Sequence, residues 1–261
     1  MTYLKLERFQ YIINQLQEKQ KISVVDIAEQ LGVAPETIRR DLGELENRQL
    51  LIRVHGGAIP FLKLRTEPQF KRKLDMQKRA KQQIAKAAAS RIEDGDTIGV
   101  DVGTTTVHLA DYLEGVHNLT VVTNSLAAAE RFNLALEEGR ITGKVLLLGG
   151  TTNPAQSSVA GPITVEWLSK MSLDKVFLSC GGVKNGVVFD FDMDESIVSS
   201  KMLEQSSNRI LLTDATKIGE QSFYSICGLD ELTEILCDQS CPEDWQEYEQ
   251  LWTVVKGGGV E

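Results

Sequence analysis

At 261 residues, with 42% hydrophobic and 25% charged content, the chain can bury an ordinary core and is long enough for one large domain or two smaller ones, and two are expected. No apolar run nears the roughly 20 residues of a membrane span, and the opening MTYLKLERFQ lacks the basic-then-apolar layout of a signal peptide, so a cytoplasmic protein is expected. The net charge of −9 divides unevenly: residues 1–91 hold 18 Lys and Arg against 10 Asp and Glu, a net +8, and the rest hold 10 against 27, a net −17, so only the front of the chain suits a polyanion.

In chain order, Phe9, Ile12, Ile13 and Leu16 fall at i, i+3, i+4 and i+7 and predict a first helix over about 4–18. Ser23 and Asp26 of SVVD announce a second, which carries Ile27, Ala28 and Leu31 and stops at Gly32. A third begins at Pro35, whose missing N–H costs nothing in a first turn, and carries Ile38, Leu42 and Leu45 on its buried stripe. The tight Gly32-Val33-Ala34 connection makes the last two helices a helix-turn-helix. In NRQLLIRVHGGA the period then shifts towards two, with Leu51 and Arg53 on one face, Ile52 and Val54 on the other, and Gly56-Gly57 permitting a sharp turn: a β-hairpin wing.

In such a module the second helix of the pair enters the major groove, and arginine and threonine near its start reach base edges or phosphate. Thr37, Arg39 and Arg40 face away from the core for that purpose; the plainer alternative is surface ion pairing with Glu36, Asp41 or Glu44. The candidate DNA-binding residues are Ser23, Pro35, Thr37, Arg39, Arg40, Arg53 and His55, and the partner is double-stranded operator DNA read by a homo-oligomer, a dimer or tetramer. The run SVVDIAEQLGVAPETIRRDLGELENRQLLIRVHGGA resembles the N-terminal signature of the DeoR family of bacterial transcription regulators. It departs from the family pattern at Ala34, where a capping serine is usual, and at Gln49, where a turn glycine is usual. A lost cap costs on the order of 1 kcal/mol, which implies a weaker helix start with binding retained.

Residues 1–60 are therefore expected to form a winged helix-turn-helix, 61–91 a basic helical connector, and 92–256 an α/β domain. In the last of these, β-rich runs at 97–101, 119–123, 144–150, 175–180, 209–214 and 234–238 alternate with helical stretches such as 105–113, 125–138 and 195–206. The pattern predicts a mostly parallel sheet flanked by helices, whose ligands bind at the carboxyl ends of the strands. Those ends carry Asp101, Gly103 and the hydroxyls of Thr104, Thr105 and Thr106, then Asn124 and Ser125, Gly150, and Lys217. A helix N-terminus with hydroxyl donors cradles an anion without a positive side chain, and Asp and Asn bond hydroxyl groups, so a phosphorylated sugar fits. Neither GxGxxG nor a Walker lysine pattern is present, and no nucleotide or other cofactor is expected. Cys180, Cys227, Cys237 and Cys241 show no CxxC pair and no histidine neighbour, so no metal site or disulfide framework is signalled and reduced thiols are expected.

The stretches EDGDTIGVDVGTTTVHLADYL, TVVTNSLAAA, LLLGG, DKVF and DATKIG resemble the effector-binding domain of DeoR regulators. That resemblance implies a fold similar to ribose-5-phosphate isomerase and a sensor of phosphorylated sugars, with contacts at Asp101, Gly103, Thr104, Thr105, Thr106, Asn124, Ser125 and Lys217. The acidic loop FDFDMDE (189–195) adds Asp194 and Glu195 as candidate effector contacts. Asp101, Glu195 and Lys217 would be the acid and base of an alternative reading, a sugar-phosphate isomerase-like enzyme with a DNA-binding appendage. The expectation is a non-enzymatic repressor of a sugar-utilisation operon, released from DNA by a sugar phosphate.

Overall fold

The computed structural model describes residues 5–19, 21–47, 51–60 and 68–255. The chain divides into two compact units between Glu67 and Pro68.

The first unit runs α1 (Lys5–Lys19), β1 (Ile22–Ser23), α2 (Val24–Leu31), α3 (Pro35–Asn47), β2 (Leu51–Val54) and β3 (Gly57–Pro60). Its core is the apolar stripe of each helix: Phe9, Ile12 and Leu16 meet Ile27 and Leu31, Ile38, Leu42 and Leu45, and Leu51 and Ala58 of the wing. Each of the Phe, Ile and Leu side chains contributes about 1.5–3 kcal/mol on burial. Ser23 adopts extended backbone and accepts a hydrogen bond from Asp26 N at 3.5 Å, and Gly32 (φ 63°) ends α2 by donating to Ala28 and Glu29 carbonyls. The wing is a three-stranded antiparallel sheet in the order β1-β3-β2. A Cβ at Gly57 would lie 1.9 Å from Ile22 O, so only glycine lets β3 pair this closely with β1. One buried ion pair ties α1 to α3: Arg8 Nε and Nη2 donate to Asp41 Oδ2 and Oδ1 at 2.6 and 3.0 Å.

The second unit begins with α4 (Phe70–Asp75) and α5 (Lys78–Ala89), continues through β4 (Thr97–Val100), a 3-10 helix (Thr106–Tyr112), β5 (Val116–Thr123), α6 (Leu126–Glu137), β6 (Ile141–Leu147), β7 (Thr151–Asn153), β8 (Ser158–Ala160), α7 (Pro162–Leu168), β9 (Leu173–Leu178), β10 (Gly182–Lys184) and β11 (Val187–Asp190), and ends with α8 (Met193–Glu204), β12 (Ser206–Thr213), β13 (Tyr224–Gly228), β14 (Glu234–Cys237) and β15 (Trp252–Val254). Seven strands form one parallel sheet in the order β15-β14-β12-β9-β4-β5-β6. Period-two alternation sends neighbouring residues to opposite faces. Phe177 packs with Ile84, Leu109 and Phe132 on one side, while Val176 and Leu178 pack with Leu168, Val198 and Met202 on the other.

Three features differ from the sequence reading. The connector expected at 61–91 does not stand apart: residues 61–67 lie outside the described residues, and α5 places Ile84, Ala88 and Ala89 in the core of the second unit. The strand expected at 144–150 is an edge strand, so Leu146 and Leu147 of β6 remain exposed where burial on both faces was expected. A small antiparallel sheet, β10-β11-β13, and the β7-β8 hairpin were not foreseen.

Candidate functional site

In the first unit the outward face of α3 carries Pro35, Glu36, Arg39 and Arg40, all exposed, with Thr37 half-buried beside them. Arg39 Nη1 donates to Glu36 Oε2 at 2.9 Å, with both side chains more than half exposed. A pair of this kind is worth about 0–1 kcal/mol, so Arg39 can exchange it for a phosphate or a base at little cost. His55 is exposed at the tip of the wing; Arg53 is exposed, and its backbone N–H donates to Glu46 Oε1 at 2.8 Å, which fixes the wing against α3. Ser23 is the N-cap of α2. Of the seven candidate DNA-binding residues, Arg39, Arg40, Arg53 and His55 are thus exposed, Arg39 within its pair with Glu36, while Thr37 and Pro35 shape the start of α3 and Ser23 holds a helix end.

In the second unit the carboxyl ends of β4, β5, β9 and β12 gather a polar cluster beneath the surface. Asp101 follows β4 and is fully buried; its Oδ2 accepts from Ser199 Oγ of α8 at 3.0 Å, and its Oδ1 has no partner among the described residues. Burial holds the Asp101 carboxyl well above the usual carboxylate range, and the nearby Asp190 adds to the effect. Asn124, also fully buried, accepts from Val102 N at 3.0 Å through Oδ1, while its Nδ2 has no partner among the described residues. One buried carboxyl oxygen and one buried amide N–H group therefore lack partners among the described residues on adjacent strand tips. Such groups cost free energy until something bonds them.

The threonine run is differently employed from what the sequence suggested. Thr106 opens a 3-10 helix and spends its hydroxyl on the carbonyls of Asp101 and Gly103, at 2.8 and 3.1 Å. Thr104 Oγ1 instead accepts from Lys81 Nζ at 2.9 Å, and the same ammonium donates to the Lys73 carbonyl at 2.6 Å. A cradle without a positive side chain was expected; a buried lysine stands against it. Gly103 packs so closely on β9 that a Cβ there would fall 2.3 Å from Ser179 Cβ. Thr105 is buried with helical backbone, and Ser125 caps α6 by accepting from Ala128 N at 3.2 Å.

Beside Lys81 lies a cavity of about 460 Å³ lined by Pro68, Lys73, Met76, Gln77, Asp214, Thr216 and Lys217. Loss of solvent lowers the Lys81 pKa to about 8; Asp214 opposes that shift, and the like charges of Lys217 and Lys73 reinforce it. The mouth is thus lysine-rich on an otherwise acidic unit. Two candidates fall elsewhere. Asp194 lies on the exposed face of the first turn of α8, in a groove with Pro162 and Lys201. Gly150 (φ 153°) packs beside Thr164 Oγ1 and Ala160 O, where its role is to let the chain turn towards β7. Glu195 is buried and accepts from Asn153 Nδ2 at 3.2 Å and from Ser158 Oγ, which fastens the β7-β8 hairpin to α8. Among the described residues no group of His, Cys, Asp and Glu is arranged to hold a metal ion, and no helix is long and apolar enough to cross a membrane. Cys180, Cys227 and Cys237 are buried free thiols, Cys180 and Cys237 being pushed up to about 12 by burial.

Residues 8–61 match the model of the DeoR-like helix-turn-helix domain and residues 76–239 match that of the DeoR C terminal sensor domain. The chain belongs to the DeoR family. As a member it is a DNA-binding transcriptional regulator with a C-terminal sensor. It is similar to an uncharacterized HTH-type transcriptional regulator of Staphylococcus epidermidis, 39% identical over 215 residues, covering 82% of this chain and 84% of that one. It is also similar to the lactose phosphotransferase system repressor of Staphylococcus aureus, 35% identical over 253 residues, covering 97% and 98% of the two chains. Among solved structures, a D-ribose-5-phosphate isomerase in complex with phospho-erythronic acid aligns over 53% of this chain and 52% of its own, at 17% identity and a TM-score of 0.37.

In this DeoR-family sensor, sequence reading missed Lys81, Asp190 and Ser199. A signal for the first was present: Lys81, Ile84, Ala85 and Ala88 share one helical stripe, and a lysine on an apolar stripe is out of place unless something inside needs it. Asp190 and Ser199 offered no comparable sign, since each becomes a neighbour of Asp101 only through the fold.

Proposed function

We propose that the protein is a repressor of a sugar-utilisation operon that leaves its operator when the sensor binds a phosphorylated sugar. The observation that carries this reading is the pairing, at one end of the sheet, of a lysine-rich cavity with buried polar atoms that lack partners among the described residues. Lys81 and Lys217 suit a phosphate, and the Asp101 carboxyl and the Asn124 amide suit sugar hydroxyls. The likeness to a lactose phosphotransferase system repressor supports both the sign of regulation and the sugar class. On the DNA side, α3 presents Arg39 and Arg40 outward, and two copies of so small a module reading paired half-sites bind far more tightly than one. The working form is therefore a homo-oligomer, a dimer or tetramer.

Turnover is not part of the proposal. Glu195, the best placed carboxylate for a general base, is committed to Asn153 and Ser158 in the frame of the unit. The experiment is a thermal-shift screen of the full-length protein against phosphorylated sugars and the same sugars without phosphate, followed by operator release measured by fluorescence anisotropy. A phosphate-dependent rise in Tm for one compound, together with release of DNA and unchanged ligand, is the expected outcome. Conversion of the ligand, or equal shifts with and without phosphate, would overturn the reading.

A further inference from the structure

α3 carries one glycine, Gly43, in the middle of the helix and in ordinary helical backbone. Glycine in a helix interior weakens the folded state relative to alanine, because it gives up more backbone freedom on folding. Packing inside the unit supplies no reason for it. At about 100° per residue, Gly43 falls about 40° from Arg39 and about 60° from Arg40, between the two and one turn further on. That side of α3 is turned away from the buried Ile38, Leu42 and Leu45. A Cβ at Gly43 would find its nearest described neighbour in Arg53 Nη1, at 3.5 Å, an ordinary contact.

Arg53 reaches this place from the wing. Period two puts it on the face of β2 that carries the fully buried Leu51, so its side chain leaves the sheet towards α3, while Ile52 leaves on the other side. Its backbone N–H is held by Glu46 Oε1 at 2.8 Å, three residues beyond Gly43 on the same helix. The side chain is exposed, and its guanidinium has no hydrogen-bond or ion-pair partner among the described residues.

We propose that Gly43 is the seat of Arg53: its missing side chain leaves a notch on the outward face of α3 in which the wing arginine lies, so that Arg53 joins Arg39 and Arg40 on one face and holds a DNA phosphate. The inference rests on the reading of α3 as the helix that faces DNA. Residues near the start of such a helix reach base edges, whereas Gly43 stands two turns further along, which assigns Arg53 to the sugar-phosphate backbone. A guanidinium fixed at its backbone by Glu46 and laid along a helix loses less freedom on binding than one on a loose arm. Any side chain longer than a methyl group at position 43 fills the notch and turns Arg53 out of it. Gly43 acts through Arg53 and is a positioning residue. The glycine that weakens α3 as a helix thus serves the face that α3 presents.

The test is an anisotropy titration of the full-length protein with a fluorescein-labelled DNA duplex of mixed sequence over a range of salt, beside melting followed at the helix band by circular dichroism. A phosphate contact registers on any sequence and contributes about 0.9 to the slope of log K against log[salt]. Arg53→Ala is expected to lower that slope by about 0.9 for each subunit bound, Gly43→Leu to lower it as much, and Gly43→Leu/Arg53→Ala to lower it no further. Gly43→Leu should also melt about 4 °C higher in the first unit, since leucine is the better helix former, so its loss of binding cannot come from a weakened fold. A wild-type slope in Gly43→Leu or in Arg53→Ala would overturn the proposal. Arg39→Ala separates that outcome from failure of the α3 reading: it lowers the slope if α3 faces DNA, and an unchanged slope in all three variants would overturn both. An equal loss from Gly43→Leu with and without Arg53 would mean that the glycine admits DNA directly, and would overturn the seat. Should Gly43→Leu melt lower than the wild type, Gly43→Gln replaces it in the same comparison, and the same outcomes decide.

Discussion

The Arg8–Asp41 pair is the sharpest test of how the DNA-binding unit is held together. Two hydrogen bonds join the side chains, which are 13% and 4% exposed, and the pair links α1 to the buried face of α3. Removing Arg8 leaves a carboxylate inside the unit without its cation, which costs about 3–5 kcal/mol. A unit of 67 residues has a total stability of about 3–10 kcal/mol, so Arg8→Met removes much or all of it. At about 4–8 °C per kcal/mol for a domain of this size, its melting temperature falls by at least about 12 °C. The three tryptophans, Trp167, Trp245 and Trp252, all lie in the second unit, so their fluorescence reports that unit alone. Circular dichroism at the helix band reports both. Arg8→Met should therefore show an early loss of helix signal with an unchanged tryptophan transition, and loss of DNA binding with ligand response retained. Arg8→Met/Asp41→Leu should recover most of the loss, because a well-packed apolar pair replaces a buried ion pair at little net cost. A fall below about 2 °C in the single variant, or a double variant no better than the single, would refute the reasoning.

Arg39→Ala and Arg40→Ala are expected to weaken operator binding by about 1–3 kcal/mol each where a base is read, or to lower the salt dependence by about one unit where a phosphate is held, measured by anisotropy titration over a range of salt. Gly103→Ala places a Cβ 2.3 Å from Ser179 Cβ and should lower the tryptophan-detected melting temperature of the sensor and abolish its ligand shift, with Ser179→Gly in the same chain restoring the stability. Asp101 has a folded-state pKa raised above its unfolded value, so its contribution to stability is full below about pH 4 and is lost as pH rises through the folded pKa. Asp101→Asn, which keeps an oxygen for Ser199, should therefore melt higher than wild type at pH 8 and no higher at pH 4; the opposite order in differential scanning calorimetry would exclude a strained carboxylate at this position.

What the sequence discloses follows from the range of the interactions concerned. The helices of the first unit announce themselves through local period and caps, as Ser23 and Gly32 show, and the parallel strands through short apolar runs. The β10-β11 hairpin was legible too: Asn185-Gly186, both left-handed at φ 50° and 73°, is a strong turn signal that lay inside a glycine-rich stretch and went unread. The site is harder because its parts are local only in space. Asp101 meets Ser199 across 98 residues, and nothing near either in the chain announces the other. Asp194 and Glu195 are adjacent in sequence and share the first turn of α8, yet successive helical positions point about 100° apart, so one is exposed and the other buried. Lys81 sits in a basic run whose other lysines are solvated, and only its helical phase, shared with Ile84 and Ala88, sets it apart.

The division at Glu67 and Pro68 also bears on how the protein is made. The core of the DNA-binding unit is complete by Ala58, whereas β12 enters the large sheet between β9 and β14 only after residue 206, and Lys217 follows it. The ribosome therefore releases a finished reading head long before the sensor can close its sheet. A transcript cut short within that interval, or a chain clipped between the units, yields a fragment with the complete core of the helix-turn-helix unit and no pocket to answer to. For this protein, incomplete synthesis costs the sensor first and the helix-turn-helix core last.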